Sequence, residues 1–161
     1  ISMRTASGCA VFWLAASLAC LVRGEPEPAL APVPFTTGVS AFKPGDGITI
    51  TNVRSTSPDM KPGDTVAVDG TYSLASAQQA MVGLSVTFTR SQFVQTNSVL
   101  VRISGPAGTF SLTRPIEAEG YLNVRLVSEG GGPALGRIYF GTATQMQEIQ
   151  HWDPEKWLER K

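Results

Sequence analysis

The chain carries one histidine, His151, so any Ser-His-Asp arrangement would have to draw its imidazole from the C-terminal tail. Between Gln150 and Trp152 it reads as a solvated tail residue. Glu117 and Glu119 flank Ala118 just ahead of a strand. Two carboxyls about 5–10 Å apart can hydrolyse a glycoside, but a solvated strand edge calls for the same residues. Asp59, Asp64 and Asp69 gather round one turn, with Asp46 near the turn before it. Calcium takes several oxygens from loops at one end of a sandwich. No EF-hand or nonapeptide repeat accompanies these aspartates, and Asp is an ordinary turn residue. A blue-copper or zinc centre needs a richer histidine and cysteine set than this chain holds. We expect no catalytic site, no metal and no cofactor.

Two other groups point to binding. Arg90, Arg102, Arg114, Arg125 and Arg137 recur at the spacing of one strand plus its turn. Aligned on one sheet face, Arg102, Arg114, Arg125 and Arg137 would suit carboxylate or sulfate groups of an anionic polysaccharide. The same arginines also serve solubility and edge protection. Trp152 and Trp157, with Leu158 beside the second, are the best candidates for a protein-partner contact, because tryptophan is enriched in interface hot spots. Folding back to plug the sandwich is the other use of these rings.

The elements that must position these residues alternate with period two. Ile48 and Ile50 alternate with threonines. Val66 to Leu74, Val82 to Phe88, Val99 to Ile103, Phe110 with Leu112, Leu122 to Leu126, and Ile138 with Phe140 continue the pattern. One apolar face and one Thr, Ser or Arg face is the pattern of half-buried antiparallel strands. Lys61-Pro-Gly-Asp64, Ser104-Gly-Pro-Ala-Gly108, Glu119-Gly120 and Glu129-Gly-Gly-Gly-Pro133 supply turns. About seven strands at this spacing predict an all-β, Ig-like antiparallel sandwich over residues 47–144. A tail over 145–161 follows. Its Asp153-Pro154 start and basic close predict a short helix docked on a surface. The last strand, Leu135 to Gly141, would be free to add to a neighbour's sheet if it lay at an edge.

The N-terminus differs. Arg4 precedes an apolar run from Cys9 to Val22, roughly 14 residues against the about 20 that span a bilayer, so residues 1–24 read as a signal peptide cut after Gly24. The alternative is lipidation at Cys20, which would tether the chain to a membrane. Cleavage would remove both cysteines and take thirteen basic residues to eleven against thirteen acidic. That leaves no positive surplus for nucleic acid. Residues 25–46 begin Glu25-Pro-Glu-Pro-Ala-Leu-Ala-Pro-Val-Pro34 and read as a Pro-rich spacer.

Met60-Lys-Pro-Gly-Asp-Thr-Val-Ala-Val-Asp-Gly-Thr-Tyr72 resembles the opening strand of bacterial extracytoplasmic Ig-like modules. The likeness rests on about a dozen residues as motif. It implies a surface, adhesion or scaffold part without catalytic residues. The expected role is an exported, non-enzymatic structural or protein-interaction module of the periplasm, cell surface or extracellular space. A carbohydrate-binding accessory domain using the arginine face or Tyr72, Tyr121 and Tyr139 is the alternative, and a hydrolase ranks third.

Overall fold

Period-two alternation resolves into nine strands among the described residues. A computed structural model describes residues 29–90, 93–130 and 132–159. The strands are β1 (Ala31–Pro32), β2 (Thr36–Phe42), β3 (Gly47–Ser55), β4 (Thr65–Ser73), β5 (Gln79–Phe88), β6 (Val99–Ser104), β7 (Ala107–Pro115), β8 (Gly120–Ser128) and β9 (Ala134–Gly141). They form two antiparallel sheets, ordered β1-β3-β4-β7 (sheet A) and β2-β9-β8-β5-β6 (sheet B). Strands β3, β4 and β7 take the places of A, B and E of an Ig-type sandwich. Strands β6, β5, β8 and β9 take those of C′, C, F and G. The expected all-β Ig-like sandwich is the observed fold.

The core lies where the predicted apolar faces meet. Val66, Val68 and Leu112 from sheet A pack against Val82, Leu84, Val86, Val124, Leu126 and Phe140 from sheet B, all nearly inaccessible. Burial of these side chains from both sheets supplies the main driving force for closing the sandwich. Turns between strands are held by aspartates. Asp64 accepts from Lys61 N at 2.9 Å, Ser57 Oγ at 2.6 Å and Thr56 Oγ1 at 3.0 Å. Asp46 accepts from the backbone N–H of Ala75 and Ser76.

Three expectations need correction. The seven predicted strands are β3 to β9, and two more precede them inside the segment read as spacer. Strand β2 lies antiparallel beside β9, from Thr36 opposite Gly141 to Phe42 opposite Gly136, with an irregularity between Thr37 and Ser40. Its Gly38 and Ser40 hide the alternation, and pairing with β9 supplies what propensity lacks. The C-terminal helix also falls elsewhere. Helix α1 covers Ala143–Glu148 and starts with a capping box, in which Thr142 accepts from Gln145 N while the Gln145 side chain accepts from Thr142 N. At Asp153-Pro154, where a helix is expected, there is one 3-10 turn, Glu155–Trp157. Finally, β9 sits between β2 and β8, so it offers no free edge. The expected signal peptide, its cleavage point and Cys20 lie outside the described residues.

Candidate functional site

The outer face of sheet B is not a solvated face. Helix α1 and the tail cross it and form a second apolar cluster. Tyr121, Tyr139, Met146, Ile149 and Trp157 are buried there, with Val39, Ala41, Phe93 and Trp152 packed at its margin. Trp152 meets the Tyr121 and Tyr139 rings edge-on at 5.3 and 5.4 Å between centroids. Trp157 lies 5.1 Å from the Tyr139 ring and is 3% exposed. Offset and edge-on aromatic pairs of this kind add stability beyond area burial. The tail tryptophans therefore dock within the chain. Trp157 is closed to any partner in this state, whereas Trp152 and Leu158 stay partly exposed.

Polar residues lie beneath the tail. Ser85, Thr87, Asn123 and Arg137 are all buried on this face. Asn123 Nδ2 donates to Ser85 O at 3.2 Å and Thr87 Oγ1 at 3.1 Å. The Thr87 and Tyr139 hydroxyls are 2.8 Å apart. Arg137 Nη1 donates to the Tyr139 hydroxyl at 3.2 Å. Its guanidinium stands 5.2 Å from the Trp157 ring centroid, a cation–π contact that burial strengthens. At the rim, Tyr121 donates to Glu148 Oε2 at 2.9 Å. Burial, then the Glu148 hydrogen bond and charge, push the Tyr121 phenol up to about 12.

The four candidate arginines do not form one row. Arg114 is on sheet A, buried, with Nη1 donating to Leu84 O, Asn97 O and Thr96 Oγ1. Arg102 is exposed on β6 and pairs with Glu129 at 2.8 Å. Only Arg125 and Arg137 come together, directly opposite one another on β8 and β9. Strand spacing brings this pair together; Arg114 is lost to the other sheet, and Arg102, on β6 of the same sheet, stands opposite Met81 rather than Gly83 and so falls out of register with Arg125. The tyrosines of the glycan alternative, Tyr72, Tyr121 and Tyr139, are buried rather than exposed.

The carboxylates are placed apart. Asp69 accepts from Ser111, Asn52 and Arg54, and these contacts hold its carboxyl below the ordinary range, the Ser111 bond foremost. Asp64 is likewise held low, chiefly by Ser57. Each is fixed in its own hydrogen-bond set. No group of three metal-ligating side chains occurs among the described residues. Glu117 pairs with Arg114 at 3.5 Å, and Glu119 lines a separate shallow cleft with Tyr121 and Glu148.

Two surface features escape a reading of the sequence. The first is the β6 edge. Val99, Leu100 and Val101 are 39%, 43% and 40% exposed, although they read as a core strand. Strand β6 pairs only with β5, so its other edge is open among the described residues. In the sequence Val99 to Val101 is an unbroken apolar run, the same pattern that a core strand gives. The second is a cleft of ≈ 550 Å³ beside the tail, lined by Arg90, Phe93, Tyr121, Glu148, Trp152 and Lys156.

No protein-family model matches the chain, and neither a curated protein nor a solved structure is found to be similar to it.

Proposed function

We propose that the protein is an exported, non-enzymatic interaction module whose working surface is the β6 edge. The observation that carries this reading is the exposed Val99-Leu100-Val101 run on a strand with one main-chain edge unpaired among the described residues. Sheet edges are ordinarily blunted by charge, proline or cover. Here the strand's single charge, Arg102, is matched by Glu129. Main-chain hydrogen bonds along such an edge give affinity, and alternate side chains give specificity. The occupant is an extended segment of a protein partner that adds to sheet B as a sixth strand. Apolar side chains on both faces of β6 favour a partner segment with apolar residues at matching positions. Export rests on the Cys9–Val22 run after Arg4.

The test compares the native chain with the L100K/V101K double variant as baits for an envelope extract, after circular dichroism shows both folded. A partner held only by the native chain, with slowed amide exchange across residues 99–104, supports the reading. Equal retention by both baits overturns it, as does sedimentation showing that the edge serves only a second copy.

The glycan alternative finds support only in the cleft beside Trp152, where aromatic rings stand next to Arg90, Glu148 and Lys156. Sugar retention on a glycan array that is lost on Trp152→Ala would favour it over the β6 edge.

A further inference from the structure

Buried donors without acceptors are rare in folded proteins, and each one calls for an explanation. Five buried side-chain polar atoms of the described residues have no partner, and four of them stand at the outer face of sheet B: Ser98 Oγ, Arg125 Nε, Arg137 Nε and Trp157 Nε1. They are strung across the sheet in order. A Cβ placed on Gly83 would lie 3.2 Å from the Ser98 Cβ. Gly83 is directly opposite Arg125, and Arg125 directly opposite Arg137. The Trp157 ring lies over Arg137. With strands about 5 Å apart, β5 to β9 spans roughly 10 Å.

The strip also lacks a carboxylate counter-charge among the described residues. Among the described residues no carboxylate lies within ion-pairing distance of Arg125 or Arg137, whereas Arg54, Arg102 and Arg114 each have one. Arg137 is 7% exposed. Arg125 is half-buried, which leaves it reachable from solvent. Burial first, then the positive charge of Arg137, hold the Arg125 guanidinium below its ordinary range. Two desolvated like charges facing each other are unfavourable unless a negative group sits with them.

We infer that the Arg125–Arg137 pair, flanked by Ser98 and Trp157 under the C-terminal tail, is a binding site for a small oxyanion. Guanidinium forks match the oxygens of phosphate, sulfate or a carboxylate, and an anion here would satisfy unpaired Nε–H donors from both arginines. Trp157 covers the Arg137 half of the site, so an occupied site ties the tail to the sheet. This site is separate from the β6 edge, and neither reading needs the other.

The test is thermal unfolding of the full chain in phosphate, sulfate and acetate, each against chloride at equal ionic strength. The expected result is a rise of on the order of 5 °C in the native midpoint when the anion is well above its dissociation constant. Arg125→Met removes one of the two facing charges and keeps the apolar stem. It should melt higher than the native chain in chloride and show no further rise with the anion. No anion-specific rise in the native chain overturns the proposal. An equal rise in native and Arg125→Met also overturns it, because the effect would then arise elsewhere. Whichever probe acts at the lowest concentration separates a tetrahedral phosphate or sulfate from a planar carboxylate.

Discussion

Arg114 on β7 and Leu84 on β5 belong to different sheets, and the guanidinium Nη1 of the first donates to the carbonyl oxygen of the second at 3.2 Å. The same nitrogen donates to Asn97 O at 2.6 Å and Thr96 Oγ1 at 3.0 Å, and Nε donates to Pro115 O. One buried cation thus joins sheet A, sheet B and the segment leading into β6. Arg114→Met should cost about 1–3 kcal/mol, because it leaves the buried Leu84 carbonyl without its cross-sheet donor. Glu117→Gln should cost no more than about 0.5 kcal/mol, because its partner-facing carboxylate is 67% exposed. Urea unfolding of both variants checks the contrast. Equal losses would mean that the exposed ion pair, rather than the carbonyl bonds, holds Arg114 in place.

The tail is a structural layer, and its anchor is Trp157. Trp157→Ala removes a ring that is 3% exposed and packed on Tyr139 and Arg137. A loss of about 3 kcal/mol is expected, at the low end of the range for large aromatic truncations. Leu158→Ala, at a partly exposed position, should lose less than about 1 kcal/mol. Guanidinium unfolding followed by far-ultraviolet circular dichroism measures both. A neutral Trp157→Ala would mean that the tail does not dock in solution.

Alkali should weaken the fold through Tyr121. Its phenol is raised from 10.0 to about 12 in the folded chain, by burial first and Glu148 second. The folded state therefore holds the proton more tightly than the unfolded chain does. That contribution is fully present below pH 10 and is lost as pH climbs from there through about 12. Its full size is on the order of 2–3 kcal/mol. Tyr121→Phe has no proton to lose, so its stability should fall less steeply over this window. Denaturant unfolding at several pH values, native against variant, reads the difference in slope. Parallel curves would assign the alkaline loss to other groups.

The sandwich is legible in the sequence because its inner faces alternate cleanly. Val66, Val68, Val82, Leu84 and Val86, then Leu122, Val124 and Leu126, announce strands by pattern alone, and all are buried as that pattern requires. The outer face of sheet B misleads for the same reason. Ser85, Thr87, Asn123 and Arg137 look like a solvated face, yet they lie beneath the tail. Tyr121 and Tyr139 on that face are the clue, since an outward face carrying two aromatics needs a cover. Helix α1 is also readable in principle from Thr142 and Gln145, three residues apart. The arginines are legible only halfway. Their spacing predicts cross-strand neighbours, which Arg125 and Arg137 are, but no single-chain pattern says which strands share a sheet. The exposed run at β6 cannot be told from a core strand by composition, because edge position is a property of topology.

Strand β2 finds its partner in β9, with Thr36 opposite Gly141 about a hundred residues later in the chain. During synthesis the slot beside β8 stays vacant until β9 has emerged, and the tail that roofs sheet B arrives later still. Completion of this side of sheet B is therefore back-loaded: β2 has its pairing partner only once β9 is made. A chain cut short before Gly141 leaves two sheet margins open at once, and that makes the final strand the timekeeper of the fold.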